Sequence, residues 1–349
     1  MGLKIAMVSS WACRCGIASY SRDLSYALAE EGVEVYIVRL PRFGTKNAEI
    51  LRNIAERIPL DKIDLIHVQE EYGLYQGHDV AFYNVLKQLK KPVITTMHSA
   101  GMWEVDEVIA QVSSKVIVHN EFCRSRFEYP NTVIIPHGAT PSKTTPSEVA
   151  KKSVGVNPRI PIVGYLGFIS SYKGIETIIE AMRNIEDAGL LIAGGWFTEK
   201  DTEYMYRLKE ASFKALPNRV QWLGFVPDEK LPNVYGSMNV LVYPSRFSTE
   251  SGALITALSY GKAVIASNLS PFKEKEKLGA LMTFENAKDL EEKIKLLLKN
   301  SDVRSNLEEG ARKYSEATSW SKVAKMHVKL YEEVLSGIEK PVDNPVPPT

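Results

Sequence analysis

The sequence predicts an α/β chain made of two doubly wound, parallel-sheet domains that face each other across a cleft. Three observations predict it. Short apolar runs alternate with helical stretches along most of the 349 residues. Such runs, four to eight residues long, read as strands buried on both faces of a parallel sheet. A polar, proline-containing segment interrupts the rhythm, which then restarts. The length suits two domains at ~150 residues each.

The first series opens with the strand "LKIAMVS". A helix follows from Gly16 to Glu31, with Ile17, Tyr20, Leu24, Ala27 and Leu28 on one face at the helical period. Gly32 stands where a left-handed residue closes a helix. "EVYIVRL", "DLIHV", "PVITTM", "KVIVH" and "TVIIP" are the next strands. The segment "HGATPSKTTPSEVAKKSVGVNPRIP" is the linker, placing one domain at 1–150 and the second at 151–319. The second series reads "IVGYLGF", "GLLIAGG", "VQWLGF", "VLVYPS", "AVIAS" and "ALMTF", with helical runs such as "GIETIIEAMRNI" between them. A last helix, 320–337, is expected to rejoin the first domain. The proline-rich tail 338–349 is expected to be extended or disordered.

Composition narrows the function. A net charge of +1 argues against a general nucleic-acid binder. Three cysteines, Cys13, Cys15 and Cys123, make no disulfide framework and suit a reducing, cytoplasmic setting. C-x-C is poor metal spacing, nothing resembles H-E-x-x-H, and no tight structural metal is expected. The apolar start is short and stops at serines, so it reads as a buried strand rather than a signal peptide. No run of ~18 apolar residues suggests a membrane span.

Parallel sheets bind ligands beyond the carboxyl ends of their strands, so the residues there carry the candidate chemistry. Gly16 opens the first helix, where free amides suit a phosphate and a glycine admits close approach; the alternative is a glycine needed only for the turn. His98 ends the strand "PVITTM" and could meet a substrate hydroxyl, or be only a satisfied loop histidine. Lys173 and Gly174 precede a helix, where a lysine suits a diphosphate; most such lysines are simply solvated. After Pro244, Glu250, Ser251 and Gly252 open an apolar helix. Glu250 could accept sugar hydroxyls or merely stabilise the first turn.

Taken in order, these motifs resemble the retaining glycosyltransferases of family four, whose GT-B fold sets two Rossmann-like domains face to face. The resemblance covers nearly the whole chain. "CGIASYSRDLSYALAEEGVEVYIV" is similar to the first glycine loop and helix, and "VIIPHGA" to the domain junction. "GYLGFISSYKGIETIIEAM" resembles the loop and helix that hold the diphosphate. "VQWLGFVPDEKLPNVYGSMNVLVYPS" resembles the run leading to the donor site, and "TSWSKVAKMHVKLYEEVL" the closing helix. The resemblance implies metal-independent, cofactor-free transfer of a hexose from a nucleotide-sugar donor, with retention, to a saccharide or lipid-linked acceptor. His98, Lys173 and Glu250 would be catalytic: His98 at the donor sugar, Lys173 at the leaving diphosphate, Glu250 holding the sugar. Gly16, Arg14, Gly167, Phe225, Val226, Arg246, Ser251, Gly252, Ala253, Leu254 and Thr256 would line the donor.

Two departures stand out. Phe168 replaces the family's arginine after Gly167, and Arg14 or Arg246 could compensate. Thr256 replaces the second glutamate, which usually meets the ribose. These departures keep two other readings open: a non-catalytic sugar-nucleotide-binding protein, and a sugar-nucleotide epimerase on the same architecture. The basic, partly amphipathic run "RLPRFGTKNAEILRNIAERIPLDK" is a candidate for peripheral contact with the inner face of a membrane. Donor base, sugar, linkage and oligomeric state stay open.

Overall fold

The computed structural model describes residues 2–40, 48–75, 77–196 and 198–337. The tail 338–349 and residues 41–47, in the first half of the basic run, lie outside the described residues. Two compact units emerge. One is Met1–Gly138 with Ala317–Thr349, the other Ala139–Glu316. The junction thus falls at 138/139, ahead of the 150/151 read from the sequence. The proline-containing segment packs as part of the second unit: Ser142 N–H donates to Ser259 O at 2.8 Å, and Thr145 N–H to Pro232 O at 3.1 Å.

The first unit holds β1 (Lys4–Ser10), β2 (Glu34–Leu40), β3 (Leu65–Glu70), β4 (Val93–Met97), β5 (Lys115–Val118) and β6 (Thr132–Ile134). They form one parallel sheet in the order β2-β1-β3-β4-β5-β6. Alternation along β1 explains why the run is apolar throughout. Ile5 and Met7 enter a core shared with Tyr20, Leu24 and Leu28 of the helix Gly16–Glu30 and with Val323 and Tyr331 of the returning helix Trp320–Ser336. Ala6 and Val8 enter the core on the other face. Each fully buried aliphatic side chain contributes about 1.5–3 kcal/mol. The helix expected over 16–31 is present as Gly16–Glu30, and Gly32 takes the left-handed conformation (φ 83°).

The second unit holds β7 (Ile162–Leu166), β8 (Gly189–Ala193), β9 (Val220–Gly224), β10 (Val240–Tyr243), β11 (Ala263–Ser267) and β12 (Met282–Phe284). Its order is β12-β11-β10-β7-β8-β9, again parallel. The chain enters at β7, winds outward through β8 and β9, then returns to lay β10 on the other side of β7. Connections therefore diverge at the carboxyl ends of β7 and β10, the switch point where sheets of this kind bind ligands.

Candidate functional site

The loop after β7 is knitted to its neighbours by backbone. Gly167 N–H donates to Ala193 O at 3.0 Å and Ile169 N–H to Gly195 O at 2.9 Å. A short 3-10 turn, Ser171–Lys173, ends in Gly174 at φ 63°. A Cβ on Gly174 would sit 2.4 Å from the carbonyl oxygen of Pro244, so only glycine lets this turn meet the end of β10. The turn presents Lys173. Its ammonium is 4.7 Å from the centre of the Tyr172 ring, and no carboxylate pairs with it among the described residues. Loss of water lowers its pKa to about 8.

Beyond β10 the chain builds the second part. Ser251 caps the helix Gly252–Ser259, its hydroxyl accepting from Leu254 N–H at 3.4 Å. The first-turn amides of Gly252 and Ala253 lie at the open end of that helix, where partial positive charge gathers. Ala253 Cβ lies 3.4 Å from where a Cβ on Gly167 would be, so the helix start abuts the end of β7. A lysine and an open helix N-terminus thus flank one switch point, an arrangement that suits a diphosphate.

Three expected residues take roles other than those read from the sequence. The Glu250 side chain is only 5 % exposed. One oxygen accepts from Lys275 Nζ at 2.9 Å and the other from Ser251 N–H at 2.9 Å. Glu250 therefore shapes the helix entry from inside, rather than standing open to sugar hydroxyls. Arg246, expected to offset the cation absent at Phe168, is ion-paired with Glu176 and donates to Ser171 O at 3.1 Å. Its charge is largely neutralised where it stands. Thr256 donates to Gly252 O at 2.8 Å, a bond back along its own helix. Leu254 is buried, Val226 half-buried, and Phe225 is 49 % exposed just past β9.

In the first unit, Gly16 is exposed at the open end of its helix and Arg14 is exposed in the preceding loop. Cys15 is buried, with Ser10 Oγ 3.8 Å from its sulfur, so the cysteine pins the loop. Among the described residues no three His, Cys, Asp or Glu side chains gather as metal ligands. His98 follows β4, its N–H donating to Glu70 O at 2.9 Å. Its ring meets Tyr20 edge-on at 4.7 Å, beside His119 and His137. Its Nε2 is 3.0 Å from Gln69 Oε1 and its Nδ1 3.5 Å from His119 Nε2. Burial lowers its pKa well below that of free histidine, so the ring is neutral.

Sequence reasoning missed Lys275 and Gln69. Nothing local marks Lys275, which meets Glu250 from 25 residues away. Gln69 had a signal: it lies two residues after His67 in β3 and so shares its face.

Residues 147–314 match the family model described as glycosyl transferases group 1. That segment is similar to the group 1 glycosyltransferases. The matched segment contains Lys173, Glu250 and the helix Gly252–Ser259. An uncharacterized glycosyltransferase of Methanocaldococcus jannaschii is 26 % identical over 190 residues, covering 52 % of this chain and 47 % of that protein. A D-inositol 3-phosphate glycosyltransferase of Corynebacterium jeikeium is 23 % identical, over 58 % of this chain and 51 % of its own. The chain thus spans about half the length of the curated relatives it matches. The sucrose-phosphate synthase of Thermosynechococcus elongatus superposes with a TM-score of 0.78 at 22 % identity, over 96 % of this chain and 100 % of its own. The fold is GT-B, as the sequence led one to expect. Among the described residues no helix is long and apolar enough to cross a membrane.

Proposed function

We propose that the protein is a retaining glycosyltransferase of family four. It moves a hexose from a nucleoside-diphosphate sugar to a hydroxyl of a saccharide or lipid-linked acceptor, in the cytoplasm and without a metal. The observation that carries the reading is the desolvated Lys173 beside the open end of the helix Gly252–Ser259. Negative charge builds on the diphosphate as the glycosidic C–O bond breaks. A fixed ammonium, partly withdrawn from water, and fixed amides stabilise that charge without reorganising. The acceptor oxygen attacks the face the phosphate leaves, and the departing phosphate takes the acceptor's proton. His98 contacts the donor sugar, while Glu250 holds the helix entry in place.

The test is transfer from a panel of labelled nucleoside-diphosphate sugars with candidate acceptors. Lys173→Ala should lower saturated turnover by about 10²-fold, the usual size of losing one transition-state donor. Turnover near wild type would remove Lys173 from the mechanism. An inverted anomeric configuration in the product would reject retention. Donor conversion without any acceptor would instead favour the epimerase reading. Vesicle flotation at low salt tests peripheral membrane contact, and no binding to anionic vesicles rejects it.

A further inference from the structure

All six histidines lie in the first unit, and three of them join a buried chain of polar contacts. Tyr331 Oη, on the returning helix, is 2.7 Å from His67 Nδ1. His67 Nε2 is 2.8 Å from Thr96 Oγ1 and 3.2 Å from the Gln69 amide. The Gln69 amide lies 3.0 Å from His98 Nε2, and His98 Nδ1 lies 3.5 Å from His119 Nε2. His119 Nδ1 is 3.0 Å from Ile135 O. Tyr331, His67 and Gln69 have no exposed surface, and His119 has 4 %.

One end of this chain has a fixed polarity. The Ile135 carbonyl can only accept, so His119 Nδ1 carries a hydrogen. A neutral His119 then offers a bare Nε2, and between these two rings the hydrogen comes from His98 Nδ1. His98 Nε2 is then bare and needs a donor, which the Gln69 NH₂ supplies. Amide oxygen and nitrogen are distinguished by their network, not by shape. Turning the Gln69 amide so that NH₂ faces His98 also points its oxygen at His67 Nε2–H. That hydrogen is shared with Thr96, and Tyr331 O–H donates to His67 Nδ1. The contacts along the chain are then satisfied, with donors running one way from Tyr331 to Ile135, at the loss of the 3.2 Å bond from the Gln69 amide nitrogen to Met7 Sδ. The opposite amide orientation leaves two lone pairs facing each other between His98 and His119.

We propose that Gln69 is a positioning residue that fixes His98 as its Nδ1–H tautomer, so that His98 offers a donor to a sugar oxygen. The His98–His119 contact is the longest link in the chain. A substrate oxygen would take over that hydrogen at the least cost to the network. The proposal rests on His98 meeting the donor sugar, but its primary test does not.

The test is nitrogen NMR of the full chain labelled with ¹⁵N-histidine, with His98 assigned through the spectrum of His98→Gln. The wild type should show a protonated Nδ1 and a bare Nε2 at His98. In Gln69→Glu the carboxylate only accepts, so Nε2 should become protonated. Gln69→Met, uncharged and similar in length, keeps the test where a buried glutamate does not fold, and should show a mixture of tautomers. A protonated Nε2 in the wild type overturns the proposal. So does a His98 Nδ1–H state that neither variant disturbs. In the transfer assay Gln69→Met should lower kcat by about tenfold or more with little change in KM, as loss of a histidine-orienting partner does elsewhere. A wild-type chain with the expected tautomer and no transferase activity would overturn the functional reading and leave the relay standing.

Discussion

Lys275→Met should destabilise the second unit strongly, because it strands a buried charge. The ammonium and carboxylate are 2.9 Å apart, with side chains 3 % and 5 % exposed. At an effective dielectric of ~20 their attraction is about 6 kcal/mol. Both have already lost their water, so the pair itself adds little net stability, but removing one partner leaves the other uncompensated at a cost of about 3–5 kcal/mol. Burial disfavours the Lys275 charge, yet Glu250, Tyr314 and Glu274 together outweigh burial and hold the pKa above the ordinary lysine value. The contribution is therefore fully present below the unfolded pKa of ~10.4 and lost only as pH rises through the raised folded value, so neutral pH shows all of it. At ~2–4 °C per kcal/mol the melting temperature should fall by roughly 6–20 °C. The double variant Glu250→Gln/Lys275→Met removes both charges and should recover much of that loss. The assay is thermal and guanidinium unfolding of all three proteins at pH 7. A Lys275→Met midpoint within ~2 °C of wild type would refute the reasoning, as would a double variant less stable than the single one.

Three further outcomes are expected. Lys173, lowered to about 8 by desolvation, must carry its proton to hold a diphosphate. Nucleoside-diphosphate affinity should therefore fall by up to about tenfold per unit as pH rises above ~8, a slope that Lys173→Met abolishes in calorimetric titration. Gly174→Ala puts a Cβ 2.4 Å from the Pro244 carbonyl at φ 63°, so it should cost roughly 2–3 kcal/mol in denaturant unfolding and weaken nucleotide binding as the turn shifts. Glu70 has no exposed surface, and burial followed by the nearby Asp79 charge raises its pKa well above the carboxylate range. The folded state then holds a proton the unfolded state releases, so stability falls as pH rises above the unfolded value of ~4.3. Glu70→Gln should flatten that slope and raise the melting temperature at pH 8 relative to wild type, and an unchanged slope would count against a protonated Glu70.

Much of this protein was legible one segment at a time. Each of the six apolar runs read as strands in either half is a strand, because short apolar runs between helices report local burial on both faces. Gly32 closes its helix with a positive φ for a local reason too, since only glycine takes that conformation without a Cβ penalty. Lys173 and the helix Gly252–Ser259 were placed by the rule that ligands gather beyond strand ends. Tertiary structure alone decided the rest. Sequence order could not say that β10 returns beside β7, and so could not bring Gly174 against Pro244. It left Glu250 a candidate sugar ligand because Lys275 is 25 residues away, and it could not bring Tyr331 to His67 from 264 residues away. Periodicity records which side of an element is buried. It carries no record of which distant polar group waits there, and that partner decides whether a buried charge or ring is a ligand-binding group or a support for one.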